Sequence, residues 1–187
     1  MEKISDKKKA IFSSALDLIK EHGFHGTPIS MVVKHAGVAA GTVYHYFDSK
    51  DELICELYAY NRSRLIRIIE EVLAENLSYK QKFFGIYINL YDFYIDNTNV
   101  LIFFEQFVNS PYNLNKNYAH SQGQLSDFFR EGIENGAIKT IRPEILKVLT
   151  LGSIATTAKL HIFGNLSLRE SELKQIVEIL WDGISST

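Results

Sequence analysis

Apolar residues recur at three- and four-residue spacing along most of the chain, a period that predicts helices. Ile11, Ala15, Leu18 and Ile19 fall on one side of a first helix over about 5–21, which His22-Gly23 closes with glycine as its C-cap. Two short helices follow within 27–50. A fourth opens at Lys50, capped by Asp48 or Ser49, and runs to about Asn76 through Leu53, Leu57, Leu65, Ile68, Ile69 and Val72. The fifth, over about 79–95, is apolar on nearly every side, as a central buried helix is. The sixth covers about 98–109. Pro111 and the stretch Asn113-Leu114-Asn115-Lys116-Asn117 then break the chain. A seventh helix reaches Asn135, an eighth runs over 143–163, and a ninth over 169–184 carries Leu173, Ile176, Val177, Leu180 and Ile184 as one stripe. The pattern predicts an all-α protein of about nine helices.

The segment TPISMVVKHAGVAAGTVYHYFDSK, residues 27–50, carries the most information. Thr27 is a good N-cap, and Pro28 suits a first helical position that needs no N–H. Met31, Val32 and Val33 give the first short helix an apolar side. Gly37 stands at the sharp turn, and Val38 can plug the angle between the helices. In the second helix, about 39–47, Val43 and Phe47 can face inward while Thr42, Tyr44 and His45 point elsewhere. This is the layout of a helix-turn-helix reader of DNA.

The string AGVAAGTVYHYFDSKDEL resembles the signature of the TetR family of transcriptional repressors, over about residues 5–65. The resemblance implies a DNA-binding domain at 1–50 and a helical ligand-binding and dimerisation domain at 51–187. It implies that Thr42, Tyr44 and Lys50 contact phosphates and that Ser30, Gly41 and His45 approach bases, with Thr27 and Ala40 completing the DNA-binding candidates; Tyr46 and Phe47 would pack. The family often begins its recognition helix with Ser or Thr and then a basic or polar residue, whereas this chain has Ala39 and Ala40. That removes a side-chain cap and leaves apolar contact, such as alanine against a thymine methyl, as a means of readout. The mechanism implied is a homodimer on a near-palindromic operator of double-stranded DNA, released by a small apolar or aromatic effector. The alternative is a DNA-binding regulator controlled by a protein partner. No enzymatic activity and no cofactor are implied.

Composition narrows the setting. The 187 residues are 46% hydrophobic, enough for a substantial core. Three prolines and 11 dispersed glycines argue against disorder and against a turn-rich β fold. No uncharged apolar run of membrane-spanning length is present, and the N-terminus leads into a helix rather than a signal peptide, so a cytoplasmic protein is expected. The single cysteine, Cys55, fits a reducing compartment and a packing role. The net charge of −2 hides an asymmetry: residues 1–50 hold seven lysines and five acids, so the basic surface is local. Lys7-Lys8-Lys9 and Lys50 are its candidates.

Residues 79–129 hold 14 of the 22 Phe and Tyr, six of them tyrosines. Rings at helical spacing commonly just pack. Several buried tyrosines that must satisfy their hydroxyls also suit a ligand cavity. Candidate lining residues are Tyr87, Tyr91, Tyr94, Phe103, Phe107, Tyr118, Phe128 and His161. The eighth helix carries small residues around Gly152 and Thr156; with Leu173, Ile176, Val177, Leu180 and Trp181 of the ninth they form the candidate dimer interface. Gly23 and Gly26 are expected to put His22 and His25 in a turn with no carboxylate or thiolate partner nearby, and no metal site is expected there. No phosphate-binding glycine loop, nucleophile elbow or paired catalytic carboxylates appear.

Overall fold

The computed structural model describes residues 4–114, 123–164 and 166–186. Among them are nine α-helices: α1 Asp6–His22, α2 Ile29–Ala36, α3 Ala40–Tyr46, α4 Lys50–Ala74, α5 Tyr79–Asp96, α6 Thr98–Val108, α7 Gln124–Glu134, α8 Pro143–Phe163 and α9 Glu170–Ile184, with one 3-10 turn at Pro111–Leu114. The chain is all-α, as its periodicity predicts. Tyr118 lies outside the described residues.

Local chemistry fixes the helix ends. The Ser5 hydroxyl accepts the N–H of Lys8 and starts α1. Ser78 and Gln81 form a capping box at the start of α5. Ser49 accepts the N–H of Glu52 at 3.1 Å, so it, rather than Asp48, caps α4. Gly37 ends α2 at φ 64° and ψ 28°, a left-handed conformation that a side chain resists. One expectation fails here: α2 begins at Ile29, Pro28 is its N-cap, and Thr27 does not cap it. Thr27 is buried, and its hydroxyl donates to the Gly23 carbonyl at 2.8 Å instead, closing the α1–α2 corner.

The chain forms two compact units, which cut it differently from a single boundary at residue 50. The first comprises residues 1–62 and 99–120, the second 63–98 and 121–187. In the first, Ile11, Phe12, Ala15, Leu18 and Ile19 of α1 pack with Val32, Val43, Phe47, Leu53, Ile54 and Leu57. Phe103 and Phe107 of α6 belong to the same core. In the second, α5 packs against α8 and α9, and α7 against α8. Its buried residues include Phe83, Ile86, Tyr87, Leu90 and Tyr91 of α5, Phe128 and Phe129 of α7, and Ile154 and Ala158 of α8. Each Leu, Ile or Phe among them contributes about 1.5–3 kcal/mol on leaving water. Gly132 of α7 is required by packing, since a Cβ there would stand 2.1 Å from the Tyr79 hydroxyl.

By length and composition α8 is long and apolar enough to cross a membrane, which a search for uncharged runs misses because Lys147 and Lys159 interrupt it. Its row Leu146, Thr150, Ile154, Thr157 and Ala158 is buried against neighbouring helices, while Ile145, Val148, Leu149, Leu160 and Phe163 are exposed.

Candidate nucleic-acid interface

The interface grows from the turn at Gly37. The left-handed glycine aims α3 away from α2, and Val43 (fully buried) with Phe47 anchors it in the core of the first unit. What α3 turns outward follows from its period. Ala40, Gly41, Tyr44 and His45 are exposed, Thr42 is half-buried, and Tyr44 keeps 57% of its surface accessible. Ser30 of α2 is also exposed. Neither α2 nor α3 has a side-chain cap, the consequence of Pro28 and Ala39 at those positions.

The frame around α3 is held by side chains that the pattern alone does not reveal. Tyr46 turns back, and its hydroxyl shares a 2.7 Å hydrogen bond with the Ser5 hydroxyl. The Lys50 amine donates to the carbonyl of Phe24 and tethers the start of α4 to the α1–α2 corner. The amide of Gln106 on α6 donates to the Ile19 carbonyl at 3.2 Å, and Tyr112 donates to Asp51 at 3.1 Å. The rings of Phe103 and Tyr112 each meet the Phe24 ring edge to face. Burial, together with the hydrogen bond to the Asp51 carboxylate, pushes the Tyr112 phenol up to about 12. Glu56, which accepts from the Lys8 amine, is thus missing from a list built on local spacing, as are Gln106 and Tyr112. Their partners lie 48, 87 and 61 residues away.

The candidate ligand residues do not gather in one place. Phe103 and Phe107 fill the core of the first unit, where α6 supplies rings to close the reader's base. Tyr87, Tyr91, Tyr94, Phe128 and His161 belong to the second unit. There Tyr87 is fully buried, and its hydroxyl meets those of Ser153 at 2.9 Å and Thr157 at 3.0 Å. One turn on, the Tyr91 hydroxyl bonds Nδ1 of His161. Burial, with Asp92 nearby, raises the Tyr91 phenol. These two links form a polar seam along an otherwise apolar α5–α8 contact. Phe128 stacks on Tyr79 at 4.2 Å and helps line an open groove of about 350 Å³ with Leu73, Leu77, Lys82, Asp127 and Glu131.

The dimer candidates also divide. Leu173, Val177 and Trp181 are buried within their own unit, so the α9 stripe faces inward, and Ile176 and Leu180 lie at its half-buried margin. Gly152 and Thr156 do face outward, along with Ile145, Val148 and Leu149 of α8, while Ile179 of α9 is 73% exposed.

Two family models match this arrangement, "Bacterial regulatory proteins, tetR family" over residues 11–57 and "Tetracyclin repressor-like, C-terminal domain" over residues 78–185. The chain belongs to the tetR family. It is a DNA-binding transcriptional regulator, not an enzyme. As a tetR-family chain it is 33% identical over 82 residues to the fatty acid metabolism regulator protein of Bacillus subtilis, a match covering 44% of this chain and 42% of that protein. Its fold is that of a TetR-family transcriptional regulator from Haemophilus influenzae Rd, with a TM-score of 0.85 at 23% identity over 96% of this chain and 97% of that one. The regulator FadR from Bacillus subtilis, solved in complex with stearoyl-CoA, superimposes with a TM-score of 0.72 at 21% identity over 94% of this chain and 98% of that one.

Proposed function

We propose that this tetR-family protein is a cytoplasmic repressor that grips a near-palindromic operator as a homodimer and lets go when a small apolar molecule binds its helical C-terminal region. The observation that carries the reading is the outward face of α3, where Ala40, Gly41, Tyr44 and His45 stand free of the core. Ser30, Gly41 and His45 then read bases, while Thr42 and Tyr44 meet phosphates. Of the remaining three candidates, Ala40 faces outward beside Gly41, while Thr27 through the Gly23 carbonyl and Lys50 through that of Phe24 hold the reader's frame from behind. Two heads about 34–36 Å apart would occupy successive major grooves.

The dimer forms through the outward face of α8, Ile145, Val148, Leu149, Gly152 and Thr156, joined by Ile176, Ile179 and Leu180 of α9. In the effector region a polar seam of Tyr87, Ser153, Thr157, Tyr91 and His161 runs through aromatic surroundings. Where α5 and α8 part to admit it, such a seam suits a molecule with an apolar body and a polar end, and a structural neighbour was solved with stearoyl-CoA. Long-chain acyl compounds are therefore the first effectors to test. Operator DNA selected from a random pool, followed by titration with stearoyl-CoA and with stearate, tests the whole reading. A bound effector raises the melting midpoint and weakens operator binding by about 5–150-fold. An operator that is never released, with no shift in melting, overturns the effector half; a protein that selects no sequence overturns the repressor half.

A further inference from the structure

The glycine at 41 is not explained by the fold. Gly37 needs its positive φ, and Gly132 has the Tyr79 hydroxyl where a Cβ would stand. Gly41 has neither reason: it is helical, its φ is not positive, and nothing lies within 4 Å of where its Cβ would be. Glycine inside a seven-residue helix weakens that helix relative to alanine. Its smallness is of use only to something that approaches from outside.

Ala40 lies beside it. Both are exposed, and with Tyr44 and His45 they make up one side of the helix. On that side there is no charged residue, and the two small residues leave a step with a single methyl group on it. An alanine methyl neither donates nor accepts a hydrogen bond, so it can discriminate only by apolar contact. In the major groove, thymine alone among the four bases displays an apolar group, its C5-methyl.

We propose that Ala40 and Gly41 form an apolar notch that seats the C5-methyl of one thymine in each operator half-site, with Ala40 supplying the contact and Gly41 the clearance. The proposal rests on the reading that α3 enters the major groove. It makes Ala40, where a polar residue would seek a hydrogen bond, a specificity-determining residue.

The test uses the full-length protein and its selected operator. Each thymine of the half-site is replaced in turn by deoxyuridine, which removes one methyl group and leaves every hydrogen-bonding group in place. Affinity should fall about three- to fivefold at one thymine and stay unchanged at the others. Ala40→Gly should bind thymine and deoxyuridine equally at that position. Gly41→Ala fills the notch; its melting midpoint should hold or rise, because the added methyl meets no protein atom, while operator affinity falls at least about tenfold. A response that is flat at every thymine overturns the proposal, as does an Ala40→Gly variant that keeps the deoxyuridine penalty or a Gly41→Ala variant that binds as the parent does. A protein that selects no operator at all overturns the major-groove reading instead.

Discussion

The amine of Lys8 pairs with the carboxylate of Glu56 and lies 5.2 Å from the centre of the Phe47 ring. The pair joins α1 to α4 across the base of α3, and the same amine is 5.9 Å from the Tyr46 ring. A run of three lysines reads in sequence as a uniform basic patch. In the folded chain they separate: Lys7 and Lys9 are exposed, and Lys8 is turned inward as a strut.

The separation predicts different phenotypes. Lys8→Ala should lower stability by about 1 kcal/mol through the lost ion pair and ring contacts, with the salt dependence of operator binding unchanged. Lys7→Ala should keep the melting midpoint and reduce the salt slope by about one. Thermal melts and operator titrations across a salt series measure both. A flattened salt slope in Lys8→Ala would mean that this amine reaches the DNA.

Tyr91 is 4% exposed, and its hydroxyl is engaged by His161, so its ring belongs to the core whether or not a ligand sits beside it. Tyr91→Ala should cost several kcal/mol, as large-to-small core changes do. Tyr91→Phe keeps the ring and removes one hydrogen bond, worth about 1 kcal/mol, so it is the variant in which to read the effector response. If the seam recognises the polar end of the effector, Tyr91→Phe weakens release while ligand-free operator binding stays intact. An unchanged dose response would remove Tyr91 from the site.

The phenol of Tyr112, pushed up to about 12, links stability to alkaline pH. The native state favours the protonated phenol that donates to Asp51, and the unfolded chain ionises near the ordinary value of about 10. This contribution is fully present below about pH 10 and disappears as pH rises toward 12. Tyr112→Phe should therefore lower stability slightly at neutral pH and lose less than the parent between about pH 10 and 12. Denaturation at several alkaline pH values gives the comparison; parallel curves for the two proteins would show that the Tyr112–Asp51 bond is not the linked group.

Much of this architecture is legible in the sequence because it is local. Period, caps and breakers mark the helices to within a few residues, the start of α7 excepted, and Val43 and Phe47 read as inward from spacing alone. What is not legible depends on distant partners. The ring run of α6 looks continuous with the aromatics of α5, yet Phe103 and Phe107 close the core of the first unit. Nothing in the local pattern separates these two helices, since rings pack equally well in either unit. The α9 stripe shows the same ambiguity. Its period is plain, but whether Val177 faces its own unit or a partner depends on which neighbour covers it, and its own unit does. A signal for the outward face did exist, in the spacing of Ile145, Val148, Leu149, Gly152 and Thr156 on α8.

That face yields the last prediction. Val148 and Ile179 are 68% and 73% exposed, and Ile145 and Leu149 are exposed on the same helix as Val148, whereas Val177 is fully buried. If a second copy covers α8 and α9, a charge at either exposed position opposes an identical charge across the two-fold axis and loses its hydration. Val148→Asp and Ile179→Asp should give folded monomers in sedimentation. Their operator affinity should fall at least about tenfold, because the second head no longer benefits from being held beside the first. Val177→Asp should instead fail to fold, since it buries a carboxylate in the unit's own core. The parent's melting midpoint should rise with protein concentration, and that of Val148→Asp should not. A Val148→Asp protein that remains dimeric and binds its operator as the parent does would move the dimer interface off this face.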